Sequence, residues 1–410
     1  MMARKSTSWR FAAVALAFVA CAAPALAQGD FIRAQGTRLV DSRGQAFAIK
    51  GINLGNWLVP EGYMIQFKRA KSPREIAAVV EALVGAESAA RFWETFRDTY
   101  ITEDDIRFIK AAGFNTVRVP LHFNLFVTSD EGGDRFEGPG WRLIDRLIGW
   151  CRAAGLRVIV DMHAAPGGQT GVNHDDGVGF PLTFYVPHHK RLTVALWREI
   201  AARYRDEPTL IGYDLLNEPI SPYSDERYLN PKLEPFYRDI VTAIRSVNKN
   251  HVVMLAGGQW SSSFAMFGRP FDSNVVYTYH QFWADPTRKS IQRFVDFSNR
   301  WQVPLLIGET GEATDDWNDK YRRLHERFGI GWSFWAYKNL DSSSTVVSVV
   351  KPEGWDLISN IDAVDIKPGW QSPVSRERAQ AMLDTYLDNI RLKNGRINAS
   401  YLASLGLAAP

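Results

Sequence analysis

Short apolar runs alternate along the chain with stretches in which apolar residues recur every three to four positions. The runs predict strands over residues 47–53, 116–120, 157–162, 211–216, 252–256, 275–279, 304–308 and 331–334. The amphipathic stretches predict helices over 104–112, 141–154, 192–206, 235–247, 290–301 and 316–328. Strands that alternate with helices pair in parallel, with the helices as crossovers. Eight such strands within 410 residues fit an α/β fold of the closed (β/α)8 TIM barrel type. An open doubly wound sheet is the alternative, but its glycine fingerprint is absent. The first strand is followed by Leu54-Gly55-Asn56-Trp57. Residues 375–400 read as a C-terminal helical extension packed on the barrel.

The amino terminus changes how the charge is read. Arg4, Lys5 and Arg10 precede an apolar run over 11–23, and Ala25-Leu26-Ala27 is a small-residue cleavage site. This predicts a signal peptide over 1–27 and a mature single domain over 28–410, secreted or periplasmic. Val19-Ala20-Cys21 also has a faint lipoprotein character. Residues 1–27 hold three basic and no acidic residues, which leaves 45 basic against 45 acidic residues in the remainder. Near-zero charge gives no reason to expect nucleic acid as partner, or membrane insertion after cleavage. Cys21 leaves with the signal. Cys151, inside the helical LIDRLIGWCRAAG, reads as a core residue without a disulfide partner.

The polar residues of the strand segments fall late in the runs. Asn53, Arg118, His163, Asn217-Glu218, His280, Glu309 and Trp335 follow one another at or near strand carboxyl ends. That mouth of a barrel is where active sites are built. Helix capping does not explain the pattern, because caps are mostly Ser, Thr, Asp or Asn. YDLLNEP and PLLIGETGE each carry a Glu at the end of an apolar run, where an unpartnered carboxylate is costly. Two such carboxyls over one cavity suit cleavage of a glycosidic bond. One protonates the leaving oxygen, and the other attacks the anomeric carbon or activates water, depending on their separation.

The strings GINLGNWL, GFNTVRVPLHF, VIVDMHAAPGGQTG, YDLLNEP, VVYTYHQF, PLLIGETGE and GWSFWAYKN run in order from Gly51 to Asn339. They resemble glycoside hydrolase family 5. The resemblance implies that Glu218 is the acid/base and Glu309 the nucleophile of a retaining reaction. It further implies that Asn217 bonds the sugar 2-hydroxyl and that Arg118 lies beside Glu309. His163 and His280 would orient carboxylates and sugar, and Trp335 would be the platform under the sugar. One departure is visible. The family has His-x-Tyr on the sixth strand, its Tyr bonding the nucleophile, whereas this chain has His280-Gln281-Phe282. Tyr279 should face the other way, so Tyr337 is the candidate replacement.

NLGNWLVPEGY, YITEDDIRFIKAAGFN and HAAPGGQTGVNHDDG resemble the exo-1,3-β-glucanase branch, which implies that Glu61 binds a terminal glucose. Long loops over 54–103, 164–190, 281–300 and 336–370 would close the groove into a pocket. A β-glucan or oligosaccharide is the expected substrate, with no cofactor and a monomeric protein. His174-Asp175-Asp176 reads as a solvated loop, because its spacing fits no calcium or zinc pattern. Asp315-Asp316 reads as a helix start. Trp57, Trp260 and Trp283 are open between packing and further sugar subsites, and Asn398-Ala-Ser400 is a glycosylation sequon. Several alternatives stay open: an endo-acting 1,4- or 1,6-β-glucanase, a transglycosylase, or an inactive carbohydrate-binding envelope protein. A metal-dependent hydrolase would need more histidines at the strand ends.

Overall fold

A computed structural model describes residues 29–410; the expected signal peptide lies outside the described residues. Eight parallel strands close into a barrel in sequential order. They are β1 Lys50–Asn53, β2 Thr116–His122, β3 Arg157–Ala164, β4 Leu210–Asp214, β5 Val252–Ala256, β6 Val275–His280, β7 Leu305–Gly311 and β8 Gly331–Trp335. Strands β2, β3 and β7 are buried along their whole length, because barrel residues on one face and helices on the other both exclude water. Each expected strand and helix is present, with bounds shifted by a few residues. The largest shift is in the helix Glu226–Val247, which starts nine residues before the expected 235 and carries Pro231 and Pro235 in its first turns.

The amino-terminal end of the barrel is closed by an antiparallel hairpin, Arg33–Gln35 with Arg38–Val40. Ile32 beside it and Leu39 within it join Ile159, Ile211, Met254 and Leu306 in an apolar layer inside the strands. With that end filled, the polar interior positions lie towards the opposite mouth.

The expected long loops contain structure. Residues 54–103 hold two helices, Pro73–Val84 and Ala86–Thr99. The first begins with a capping box, Ser72 and Glu75 satisfying each other's backbone N–H, and has Pro at its first turn. The helix Arg376–Asn389 packs on this inserted pair, which corrects the expectation that it sits on the barrel itself. Residues 336–370 supply strands Lys338–Leu340 and Val347–Val349, which join Arg396–Ile397 in a small sheet. Much of 281–300 is the helix Arg288–Trp301. No helix among the described residues is long and apolar enough to cross a membrane.

One buried ion pair ties the segment after β8 to the helix Glu103–Ala112. Lys338 Nζ lies 2.6 Å from Asp105 Oδ1, both side chains fully buried. The Tyr337 hydroxyl donates to the same carboxylate at 3.0 Å. Lys338→Ala therefore leaves a buried carboxylate unpaired. It should destabilise the protein by about 3–5 kcal/mol in denaturant titration; a change below about 1 kcal/mol would contradict this reading.

Candidate active site

Side-chain alternation along β3 leads from core to site. Ile159 belongs to the apolar layer. Two residues on, Asp161 Oδ1 lies 3.0 Å from Arg118 Nη2. Two further on, His163 Nδ1 lies 2.8 Å from Asp161 Oδ2. Arg118 is the hub of this layer. Its Nε donates to Asp214 Oδ2 at 2.9 Å, Nη1 to Asn53 Oδ1 at 3.0 Å and to Glu309 Oε1 at 2.5 Å, and Nη2 to Asn217 Oδ1 at 2.9 Å. One buried guanidinium thus meets three carboxylates. Burial pushes Asp161 and Asp214 up to about 7, with Arg118 pulling both back.

The two glutamates approach from opposite sides. Glu309 is in β7. Its neighbour must be glycine, because a Cβ on Gly308 would stand 2.6 Å from Thr278 Oγ1 and 2.8 Å from His280 Nε2. Strand β4 stops at Asp214, short of the expected 216. Glu218 follows on the loop with φ of 46°, a left-handed conformation that costs a non-glycine residue free energy. That turn aims its carboxyl back over the mouth. One carboxylate oxygen of Glu218, one of Glu309 and a ring nitrogen of His280 fall within 4.8 Å of one another. His280 Nδ1 is 3.0 Å from Glu218 Oε1 and 3.7 Å from Glu309 Oε2.

The electrostatics separate the pair. Burial, then the like charges of Glu309 and Glu61, push Glu218 well above the usual carboxylate range. Burial raises Glu309 too, but Arg118 and then His163 oppose the rise. Burial holds His280 well below its ordinary value and His163 down at about 4, so both rings are neutral near pH 7. Two triplets of donor atoms, Asp161-His163-Glu309 and Glu218-His280-Glu309, are compact enough for a cation. Both include Glu309, whose Oε1 already faces the Arg118 guanidinium, and a metal there would meet like charge.

On the third side the Trp335 ring stacks parallel to His163, with centroids 5.5 Å apart and planes at 10°. Its Nε1 donates to the Tyr63 hydroxyl at 2.6 Å. Gly55 permits this packing, since a Cβ there would lie 2.8 Å from the indole. Glu61 is buried next to them, its Oε1 3.8 Å from His163 Nε2 and its backbone N–H held by Asn56. Burial, then Glu309 and Glu312, raise its carboxyl well above the ordinary range. Glu61, Arg118, His163, Asn217, Glu218, His280, Glu309 and Trp335 therefore meet at one mouth.

Other expectations change. Tyr337 bonds Asp105 outside the barrel and does not reach Glu309. Phe282 packs with Met64, Trp335 and Ala336, so Glu309 has no tyrosine partner on β6. Tyr279 does face away, stacked on Phe294 at 4.0 Å. Trp57 is core, its Nε1 bonded to the Arg97 carbonyl. Trp283 is 69% exposed, and Trp260 edges against His174. Residues His174-Asp175-Asp176 are not a solvated loop. Asp175 is buried and accepts backbone N–H groups from Thr170, Gly171 and Gly177. His174 faces Glu218. The Asn398 amide donates to the Ser342 and Thr345 carbonyls, which occupies the nitrogen a glycan would need. Asp161, Asp214, Tyr63 and Glu312 join the site without having been singled out, and His174 joins it although it read as part of a solvated loop. Asp161 was the most legible of them, standing two residues before His163 inside an apolar run.

A family model described as Cellulase (glycosyl hydrolase family 5) matches residues 79–341. Among curated proteins, a beta-xylosidase of Phanerodontia chrysosporium is 27% identical over 350 residues, 76% of this chain and 71% of that protein. A probable glucan 1,3-beta-glucosidase A of Emericella nidulans is 25% identical over 361 residues, covering 85% and 83%. Endoglucanase C of Acetivibrio thermocellus is 26% identical over 306 residues, covering 60% and 86%. Among solved structures, the rutinosidase from Aspergillus niger superposes with a TM-score of 0.56 at 18% identity, over 73% of this chain and 92% of that one. At that identity the likeness is one of fold. With the matched region spanning well over half of its length, the chain belongs to glycosyl hydrolase family 5, and it is a glycoside hydrolase.

Proposed function

We propose that the protein is a retaining β-glucan hydrolase that removes glucose from chain ends, Glu309 attacking the anomeric carbon and Glu218 serving as acid and then base. The reading is carried by one observation: the two carboxyls come within 4.8 Å at one mouth while only Glu309 bonds a guanidinium. Retaining enzymes hold their carboxyls about 5–5.5 Å apart, and inverting ones leave a wider gap for water. Glu309, ionised beside Arg118, forms the glycosyl ester. Glu218, kept protonated by burial, gives its proton to the departing oxygen, then takes one from the water that cleaves the ester. Asn217, fixed by Arg118, bonds the 2-hydroxyl. Trp335 supplies the apolar platform, and Glu61 bonds the far hydroxyls of the terminal sugar. The Tyr63 hydroxyl on the Trp335 indole, with Glu61 against His163, crowds one side of the mouth, which supports action from a chain end. A secreted or periplasmic monomer fits this role, since polysaccharide substrates lie outside the cell.

Glu218→Ala should lower kcat/KM by about 10²–10⁴-fold on poor leaving groups and much less on activated aryl glycosides. Equal losses on both would remove Glu218 from this role. The pH profile should be a bell, with an acid limb for Glu309 and a basic limb, from Glu218, well above the ordinary carboxylate range. On laminarin the first products should be glucose; mainly oligosaccharides would overturn the chain-end reading and favour an endo-glucanase.

A further inference from the structure

Among the groups of the site that the proposed mechanism does not use is His174. His174 sits on a short turn, Asn173–Asp175, after β3. Its Nε2 lies 3.4 Å from Glu218 Oε2 and, although buried, has no hydrogen-bond partner among the described residues. Glu218 Oε1 is on the other side, against His280. The carboxyl is thus held between two imidazoles, one on a barrel strand and one on a loop. The His174 ring is wedged by Trp260 at 6.1 Å and His163 at 6.4 Å, both edge-on. Its backbone is fixed from below, because the Asp175 carboxylate gathers three backbone N–H groups of the same loop. Trp260 is itself held in a left-handed run, Gln259 to Ser261, with φ between 52° and 59°. The turn that carries His174, braced by a second loop held at this conformational expense, places an unsatisfied nitrogen against one oxygen of Glu218.

We propose that His174 is a positioning residue for Glu218, its Nε2–H closing onto Oε2 once the Glu218 proton has moved to the departing glycosidic oxygen. The inference rests on Glu218 being the acid/base. When the C–O bond breaks, its electron pair stays on the departing oxygen, which takes the Glu218 proton and leaves a carboxylate behind. The His174 N–H then donates to that carboxylate, and the bond loosens when Glu218 regains a proton from water. A donor for the ionised form lowers the carboxyl pKa. Burial holds the ring at about 4, so it stays neutral and supplies a hydrogen bond rather than a charge. The groups facing Glu218 are His280 from β6, Glu309 from β7, Arg118 from β2, Asp161 from β3 and Glu61 from the loop after β1. Those facing His174 are Asp175 and His163.

His174→Phe keeps a ring and removes the donor. It should move the basic limb of kcat/KM upward by about 0.5–1 pH unit, and His174→Gln should bring it back by returning an N–H at similar reach. A loss of rate in the Phe variant with an unmoved limb and no rescue by Gln would make His174 a packing residue and overturn the proposal. In the unsubstituted protein the ring can be followed by NMR. The His174 ε1 resonance should shift as Glu218 ionises, at the pH of the basic limb, and the shift should vanish in Glu218→Gln. A resonance blind to that titration overturns the proposal even if the Phe variant does not fold. Failure of Glu218→Ala to discriminate between leaving groups is a separate outcome, which removes the acid/base reading itself.

Discussion

Glu309→Gly is expected to lose turnover on the order of 10⁵-fold while still binding substrate, because the covalent step has no substitute nucleophile. The carboxylate is the centre of its own neighbourhood. Oε1 accepts from Arg118 at 2.5 Å, and Oε2 lies 3.7 Å from His280. Removing it leaves a space of carboxylate size beside a guanidinium, which is a ready site for a small anion. Azide added to the variant with an activated β-aryl glycoside should enter that space. It would displace the aryl group in one step and give the α-glycosyl azide. The corresponding experiment with Glu218→Ala should give the β-azide, because there Glu309 still forms the intermediate and azide replaces water in the second step. A variant of Glu309 that keeps substantial activity without azide would sink its assignment as nucleophile.

Arg118→Met is expected to cost both stability and activity. The guanidinium is wholly buried against Asp161, Asp214 and Glu309. Without it, buried carboxylates have no cation, and breaking such a set costs about 3–5 kcal/mol. The pH dependence follows from the direction of the shifts. Burial already lifts Asp161 and Asp214 up to about 7 with Arg118 in place, and its loss lifts them further. Acids whose folded pKa is raised hold their protons in the native state. Their stabilising contribution is present at low pH and is lost as pH rises from the ordinary carboxylate value through the folded one. The variant should therefore be more strongly destabilised at pH 8 than at pH 5, as read by chemical denaturation. Its kcat/KM should fall on the order of 10³-fold, and the acid limb should move upward, because Glu309 loses the charge that keeps it ionised. Equal stability of variant and parent at pH 8 would mean that the hub is not load-sharing among these carboxylates.

The barrel was readable because its interior strands are apolar runs of strand length, and because the crossovers repeat a helical period. The proposed catalytic pair could be picked out because a Glu ending such a run is rarely structural. What stayed hidden depends on tertiary packing. Residues 54–103 read as a loop, although Ser72-Pro73-Arg74-Glu75 was a visible helix start. Asp214 stands in an apolar run like Glu218, yet nothing local says that it lies below the mouth, paired to Arg118, instead of within it. Tyr337 was the candidate replacement for the tyrosine that β6 lacks, but β8 ends at Trp335 and the Tyr337 hydroxyl goes to Asp105. His174 was obscured by its acidic neighbours. Only the folded loop shows Asp175 turned to the backbone and the imidazole turned to Glu218.

The double displacement is tested most directly by the configuration of the sugar at the moment of release. Proton NMR of a β-linked substrate, recorded within the first minutes before mutarotation, should show the β-anomer accumulating first. First appearance of the α-anomer would mean a single displacement by water, and would contradict a nucleophilic Glu309 poised within 4.8 Å of Glu218.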